Sequence, residues 1–266
     1  MGKKALLRGF FLVFALSGSV AFGLDFMGPP AAELDKGQLS AGSNYSYSRM
    51  DVDIKGDYFG NHVGSTIKLP KKLKMNKYYS VLAYGLEENC DVYLLLGSAR
   101  NKTGIVNNTT DTKDVDSDSE CAIGFGAKRT FYEDGQLKLG GLYQMSWVRD
   151  IDINERLLVT NWYHTVEGEL DLTEIQIAVG PSYQLNEFVS IYGGPFFHFI
   201  YGDFSYSESC SLCGSVGGGT DDVREASWFG GYIGAQVELI KKAPFNIEWQ
   251  HTAYADAVAM SITWRF

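Results

Sequence analysis

The sequence predicts an all-β fold: a transmembrane, antiparallel up-and-down β-barrel of ten strands, with eight or twelve strands as the alternatives. Three observations carry that prediction. Stretches of about ten residues alternate apolar and polar side chains, longer than an ordinary globular strand needs and matched to a tilted membrane-crossing strand. Short turns and long polar connections alternate along the chain. Finally, the chain ends on MSITWRF, Met260 to Phe266, apolar at every second position up to the last residue, where chains are usually polar and frayed.

The first element is not part of the barrel. Residues 1–23 place Lys3, Lys4 and Arg8 ahead of an apolar run from Phe10 to Val20 and a small-x-small site at Ala21-Phe22-Gly23. This reads as a secretory signal peptide cleaved before Leu24. Residues 24–37 then read as a periplasmic N-terminal segment, and residues 38–266 as the barrel. Past Gly23 no apolar run approaches the length of a spanning helix, so a helical membrane protein is excluded. The chain is acidic, with a formal net charge of −9, which argues against a nucleic-acid partner. Abundant glycine and aromatics with little proline suit many strands.

The strands follow in order. The early ones run from Gln38 to about Ile54, Lys77 to Leu86, Asp91 to Arg100 and Cys121 to Phe131. From Leu137, one face carries Leu139, Gly141, Tyr143, Met145 and Trp147, and the other Lys138, Gly140, Gln144 and Ser146. The next sets Thr173, Ile175, Ile177, Val179, Pro181 and Tyr183 against Glu174, Gln176 and Ala178. From Val189, Ile191, Pro195, Phe197, Phe199 and Tyr201 oppose Ser190, Tyr192, Gly194 and His198. Phe229, Ile233, Ala235, Val237 and Leu239 oppose Gly230, Tyr232, Gly234, Gln236 and Glu238. Two more, Phe245 to His251 and Ala257 to Phe266, bring the total to ten.

Short turns fall at Glu87 to Cys90, Tyr132 to Gln136, Leu185 to Glu187 and Lys241 to Pro244. Long connections fall at Lys55 to Asn76, Asn101 to Glu120, Asp150 to Leu170 and Gly202 to Ala226, with a shorter one at Thr252 to Asp256. Short turns belong to the periplasmic side and long loops to the outside. Within the first long loop, Ser65 to Leu69 is expected to pair with Asp51 to Ile54 in a hairpin above the membrane. Trp147, Tyr201 and Trp228 lie at loop-side strand ends, and Tyr183 and Trp264 at turn-side ends, as two aromatic belts require.

These features together resemble Gram-negative outer-membrane β-barrels, over essentially the whole chain past Gly23. The last strand, with Val258, Met260, Ile262, Trp264 and Phe266 on one face, resembles the signal read by the barrel-assembly machinery in that class. The resemblance implies the cell outer membrane as location. It implies outer-membrane lipid and lipopolysaccharide as surroundings, and the assembly machinery as a transient partner. A monomer is expected.

Candidate chemistry is sparse. Cys210 and Cys213 form a lone C-x-x-C in a glycine- and serine-rich loop; a local disulfide is expected, since the second ligand pair of a zinc site is missing. Cys90 and Cys121 should lie a membrane thickness apart, unpaired. His251 should make a plain hydrogen bond at the outer rim. The late histidine of lipid A deacylases is followed by serine, but Thr252 and Ala253 stand here, and the Asp-x-His of omptin proteases is missing. Asn107 to Glu120 is acidic but lacks the glycine and spaced glutamate of an EF-hand loop. No cofactor, metal or catalytic residue is assigned.

The lumen carries the more informative pattern. Lys128, Lys138, Glu238, Glu248 and Arg265 should form a charge network at its periplasmic end, with Glu238 beside Glu248 and Arg265 facing both. Such a network fills and stiffens a narrow barrel. It could also serve as a constriction for ions or solutes. The expected function is a non-enzymatic surface barrel for envelope integrity or adhesion, its lumen filled by side chains. A narrow porin is the alternative, and an outer-membrane hydrolase is third.

Overall fold

A computed structural model describes residues 24–50, 52–55, 73–104, 114–159, 162–210, 214–225, 228–240 and 242–266. Its strands are β1 (Leu39–Met50), β2 (Val52–Lys55), β3 (Leu73–Glu87), β4 (Cys90–Gly104), β5 (Asp114–Asp134) and β6 (Leu137–Val159). They continue as β7 (Trp162–Asn186), β8 (Val189–Cys210), β9 (Gly214–Glu225), β10 (Phe229–Ile240), β11 (Ala243–Thr252) and β12 (Ala255–Arg265). Ten of them close an antiparallel transmembrane-type barrel: β1, β3 through β8, and β10 through β12. The seam is closed by the first and last strands, in register from Ser40 opposite Arg265 to Met50 opposite Ala255.

The remaining two strands lie outside the closed ring. β8 is shared: its inner part pairs with β10, from Val189 opposite Val237 to Phe197 opposite Phe229, and its outer part pairs with β9. β2 pairs with β9, Val52 opposite Glu225 through Lys55 opposite Asp222. The expected partner of that segment, Ser65 to Leu69, lies outside the described residues, and the described partner is β9.

Several connections expected as polar loops are strand instead. β6 and β7 run together from Leu137 opposite Tyr183 to Val159 opposite Trp162, so most of 150–170 is hairpin. β8 and β9 do the same between Tyr201 and Cys210. The polar composition is misleading because an antiparallel ribbon that extends beyond the closed ring can be wet on its outer face. Its inner face stays apolar, with Ile151, Leu170, Leu172, Phe204 and Val223 all buried.

Backbone spacing explains Gly180. Where β7 meets β8, a Cβ on Gly180 would come within 1.9 Å of the Gly193 carbonyl oxygen. The ladder between these strands is interrupted at that point, from Ala178 opposite Phe196 to Ser182 opposite Tyr192. On β12 the inward positions Ala255, Ala257, Ala259 and Ser261 are small and buried, leaving lumen space. Its outward positions Val258, Met260, Ile262 and Trp264, with Phe266 just past its end, lie on the partly or fully exposed face.

Candidate functional site: a doubly closed lumen

Strand alternation drives one face of each strand into the lumen, and the two halves of that lumen differ in chemistry. The outer half is apolar: Met50, Met75, Tyr79, Leu95, Ala99, Ala122, Val148 and Ile151 pack with Leu170, Leu172, Ile200, Phe204, Val223 and Ala255. The inner half is polar, yet it too is filled. Residues 24–34, part of the segment 24–37 expected to be periplasmic, lie inside the barrel. Leu24, Asp25, Met27, Ala31, Ala32 and Leu34 are each at most 6% exposed.

An irregular segment can be buried only if the wall satisfies its backbone, and here the wall does so side chain by side chain. The Asp25 N–H donates to Glu174 Oε1 at 3.1 Å. The Asp25 carbonyl accepts from Gln250 Nε2 at 2.6 Å and Gln176 Nε2 at 3.3 Å. The N–H groups of Met27 and Gly28 donate to the two oxygens of Glu248, at 3.1 and 2.9 Å. Ala32 donates to Thr130 Oγ1 at 3.0 Å, and Glu33 to Asp91 Oδ2 at 2.6 Å. The apolar side chains of Leu24 and Met27 pack with Leu142, Ala178, Tyr192, Phe196, Tyr232 and Ala257.

Charge pairing adds a second hold. The Asp25 carboxylate accepts from Ser146 Oγ at 2.6 Å and lies 2.9 Å from Lys77 Nζ. Lys77 also pairs with Glu174, which is 3.1 Å from His198 Nε2. All five side chains lie on or against the lumen wall and are buried. A relay of amides continues around it: Gln176 donates to Gln250, Gln144 to Gln176, and the Tyr93 hydroxyl to Gln144. Lower down, Glu33 Oε1 accepts from Arg265 at 2.9 Å and from Gln236 at 2.5 Å, with Lys128 3.8 Å from Oε2.

The expected charge network is therefore rebuilt around residues of this N-terminal segment. Lys128 and Arg265 meet through Glu33, and Glu248 serves the plug backbone. Glu238 is not beside Glu248: Glu238 stands opposite Pro244, and Glu248 opposite Gly234. The tight turn and the register shift after Glu238 slide the two apart, and Glu238 accepts from the Lys242 N–H at 2.9 Å. Lys138 leaves the network as well, pairing with Glu133 at 2.9 Å beside its own turn. Lys138, Glu238 and Arg265 instead line a cavity of about 220 Å³ at the short-turn end of the barrel, beneath the plug, with Pro29 and Glu33 in its roof.

Other expected positions fall on the barrel exterior. Trp147 lies opposite Thr173, which lies opposite Tyr201, along the outer belt. Trp228 stacks on Phe197 with ring centroids 5.6 Å apart. Tyr183, Tyr201, Trp228 and Trp264 are exposed. Cys210 and Cys213 as a pair lie outside the described residues, whereas Cys90 and Cys121 are free thiols. His251 has a partner the linear reading missed: Asp256 Oδ1 is 2.5 Å from its Nδ1, across the β11–β12 hairpin. Both residues face outward, and His251 stacks on Trp249.

The anchors Asp25, Lys77, Glu174, Gln176 and Gln250 were not singled out from sequence. The available signal was the run of long polar side chains on the inward phase, at positions where small residues would suffice to leave space.

No family model matches the chain, and no curated protein matches it significantly. Among solved structures, the chain is similar to the translocator domain of the autotransporter NalP from Neisseria meningitidis. That match has 13% identity, covers 99% of this chain and 95% of that one, and has a TM-score of 0.49. The outer-membrane protease OmpT from Escherichia coli matches at 10% identity, over 86% and 97% of the chains, with a TM-score of 0.46. The COG4313 outer-membrane channel from Pseudomonas putida F1 matches at 12%, over 91% and 100%, with a TM-score of 0.45.

Proposed function

We propose that this chain is an outer-membrane barrel with a structural and surface-facing role, whose lumen does not conduct. The observation that carries the reading is the double closure, an apolar cluster in the outer half of the lumen and a peptide plug in the inner half. Location in a bilayer is supported by the exterior, where Leu82, Leu94, Leu96, Ile123, Phe125, Ile177, Phe197 and Ile233 are exposed without an aqueous reason. The tall ribbon formed by the outer parts of β6 to β9 supplies a surface for contacts with other cells or envelope components.

A non-enzymatic role belongs to this reading: the polar partner of His251 among the described residues is Asp256, and both side chains lie on the outward phase of their strands. One observation favours a narrow channel as the second reading: the plug is pinned by polar side chains, which can exchange partners with water, and it roofs an open periplasmic cavity. Solute efflux from proteoliposomes separates the two. The sealed reading expects wild-type vesicles to retain a small neutral sugar and potassium as long as protein-free vesicles do. Efflux proportional to the number of incorporated barrels would favour the channel.

A further inference from the structure

The exterior rim at the outer ends of the strands is divided by charge. On β6 to β9 the outward side chains are mostly acidic: Asp152 stands opposite Glu169, and Asp171 opposite Asp203, which stands opposite Asp222. On the other side, β11, β12, β1, β3 and β4 are consecutive neighbours in the barrel. Their outward outer-end positions carry His251, Asp256, Arg49, Lys74 and Arg100. Register holds them in one band: His251 is opposite Asp256, Asp256 is opposite Arg49, and Asn76, one outward position inside Lys74, is opposite Arg100. The Tyr45 hydroxyl donates to Asn76 Oδ1 at 2.7 Å, tying β1 to β3 on the same outer face.

Among the described residues the acid of this band, Asp256, is engaged by His251 Nδ1. Arg49 has no side-chain partner among the described residues, although it stands opposite Asp256. Just below the band lie Tyr45, Tyr78 and Trp249, side chains suited to the level where acyl chains give way to headgroups. A guanidinium at that height without a partner among the described residues, beside other cationic side chains, has the donor geometry and charge for phosphate oxygens.

We propose that this band binds the phosphate groups of a phosphorylated glycolipid in the outer leaflet, with Arg49 as principal donor and the positive charge of Lys74 and the imidazole of His251 beside it. The proposal rests on the outer-membrane reading above. It also gives the barrel a preferred side for lipid, since the acidic ribbon opposite would repel the same headgroup.

Retention of lipid by the purified full-length protein tests it, read by native mass spectrometry after incubation with a diphosphorylated, acylated glucosamine disaccharide lipid or its dephosphorylated form. Wild type should retain the phosphorylated lipid, and the dephosphorylated form about tenfold less. Arg49→Gln should lower retention of the phosphorylated lipid severalfold, and Arg49→Ala with Lys74→Ala about tenfold. Arg149→Ala, on the acidic side, should leave it unchanged. Equal retention of the two lipids, or retention indifferent to Arg49→Gln in a barrel that keeps its heat-modifiable mobility, would overturn the proposal. Complete displacement of lipid by millimolar inorganic phosphate would overturn the lipid source. Membrane fractionation distinguishes the two levels: a barrel that resides in the outer membrane but ignores the phosphates refutes this inference alone, whereas one found elsewhere refutes the location.

Discussion

Replacing Asp25 by alanine should loosen the plug without unfolding the barrel. Two side-chain interactions are lost, the 2.6 Å hydrogen bond from Ser146 and the 2.9 Å pair with Lys77, both in a setting about 1–2% exposed. Breaking a buried ion pair outright costs about 3–5 kcal/mol because a charge is stranded. Lys77 is not stranded here, since Glu174 remains its partner. The cost then falls to that of one charge-assisted hydrogen bond and an orphaned serine hydroxyl, about 2–3 kcal/mol. The three backbone bonds of Asp25 to Glu174, Gln176 and Gln250 persist. If the plug opens as a local unit, the amides of Met27 and Gly28, held by Glu248, should exchange hydrogen roughly 30- to 150-fold faster in the variant. Hydrogen exchange read by mass spectrometry on peptides covering residues 24–35 makes the measurement. Asp35→Ala, at the exposed end of the same segment, is the control and should change little. Unchanged protection of Met27 and Gly28 in Asp25→Ala would refute the assignment of Asp25 as the anchor.

Three further outcomes follow from the packing. Phe204→Ala removes a fully buried ring from the outer apolar cluster and should cost about 3–5 kcal/mol, seen as earlier thermal loss of strand signal, while residues 24–35 keep their exchange protection. Gly180→Ala drives a Cβ into the Gly193 carbonyl and should abolish the compact, heat-modifiable electrophoretic band, because both approaching atoms are backbone or rigidly attached to it. Phe266→Ala should lower the amount of barrel assembled in cells while leaving refolding into detergent unchanged; its ring is exposed and makes little internal packing to lose. Equal impairment in detergent would make the residue a folding determinant instead of an assembly signal.

Legibility of the fold from sequence tracked how directly each feature depends on local alternation. The ten strands and the outward phase of Val258, Met260, Ile262, Trp264 and Phe266 follow from a period of two that any register must respect. The height of the outer ribbon was not legible, because polar outward residues such as Asp152, Glu169 and Ser205 look like loop when the inward Ile151, Leu170 and Phe204 are not yet known to face one another. The plug was hidden for a different reason. Residues 24–35 have no periodicity, and the groups that bury them, Glu174, Glu248, Asp91 and Thr130, are scattered over four strands from Asp91 to Glu248. Even the correctly inward Glu238 and Glu248 were mispaired, since a turn one or two residues tighter than assumed slides every partner along the hairpin. The Asp256 partner of His251 became visible only once the hairpin brought the two strands into register.

Single-channel recording in planar bilayers tests the sealed-lumen account most directly. With wild-type protein inserted, the account predicts a silent membrane at all moderate voltages. It predicts that Asp25→Ala and Phe204→Ala alone remain mostly silent, each leaving one closure in place, and that the double variant shows resolvable openings. Steady openings of defined size in the wild-type barrel would contradict the account.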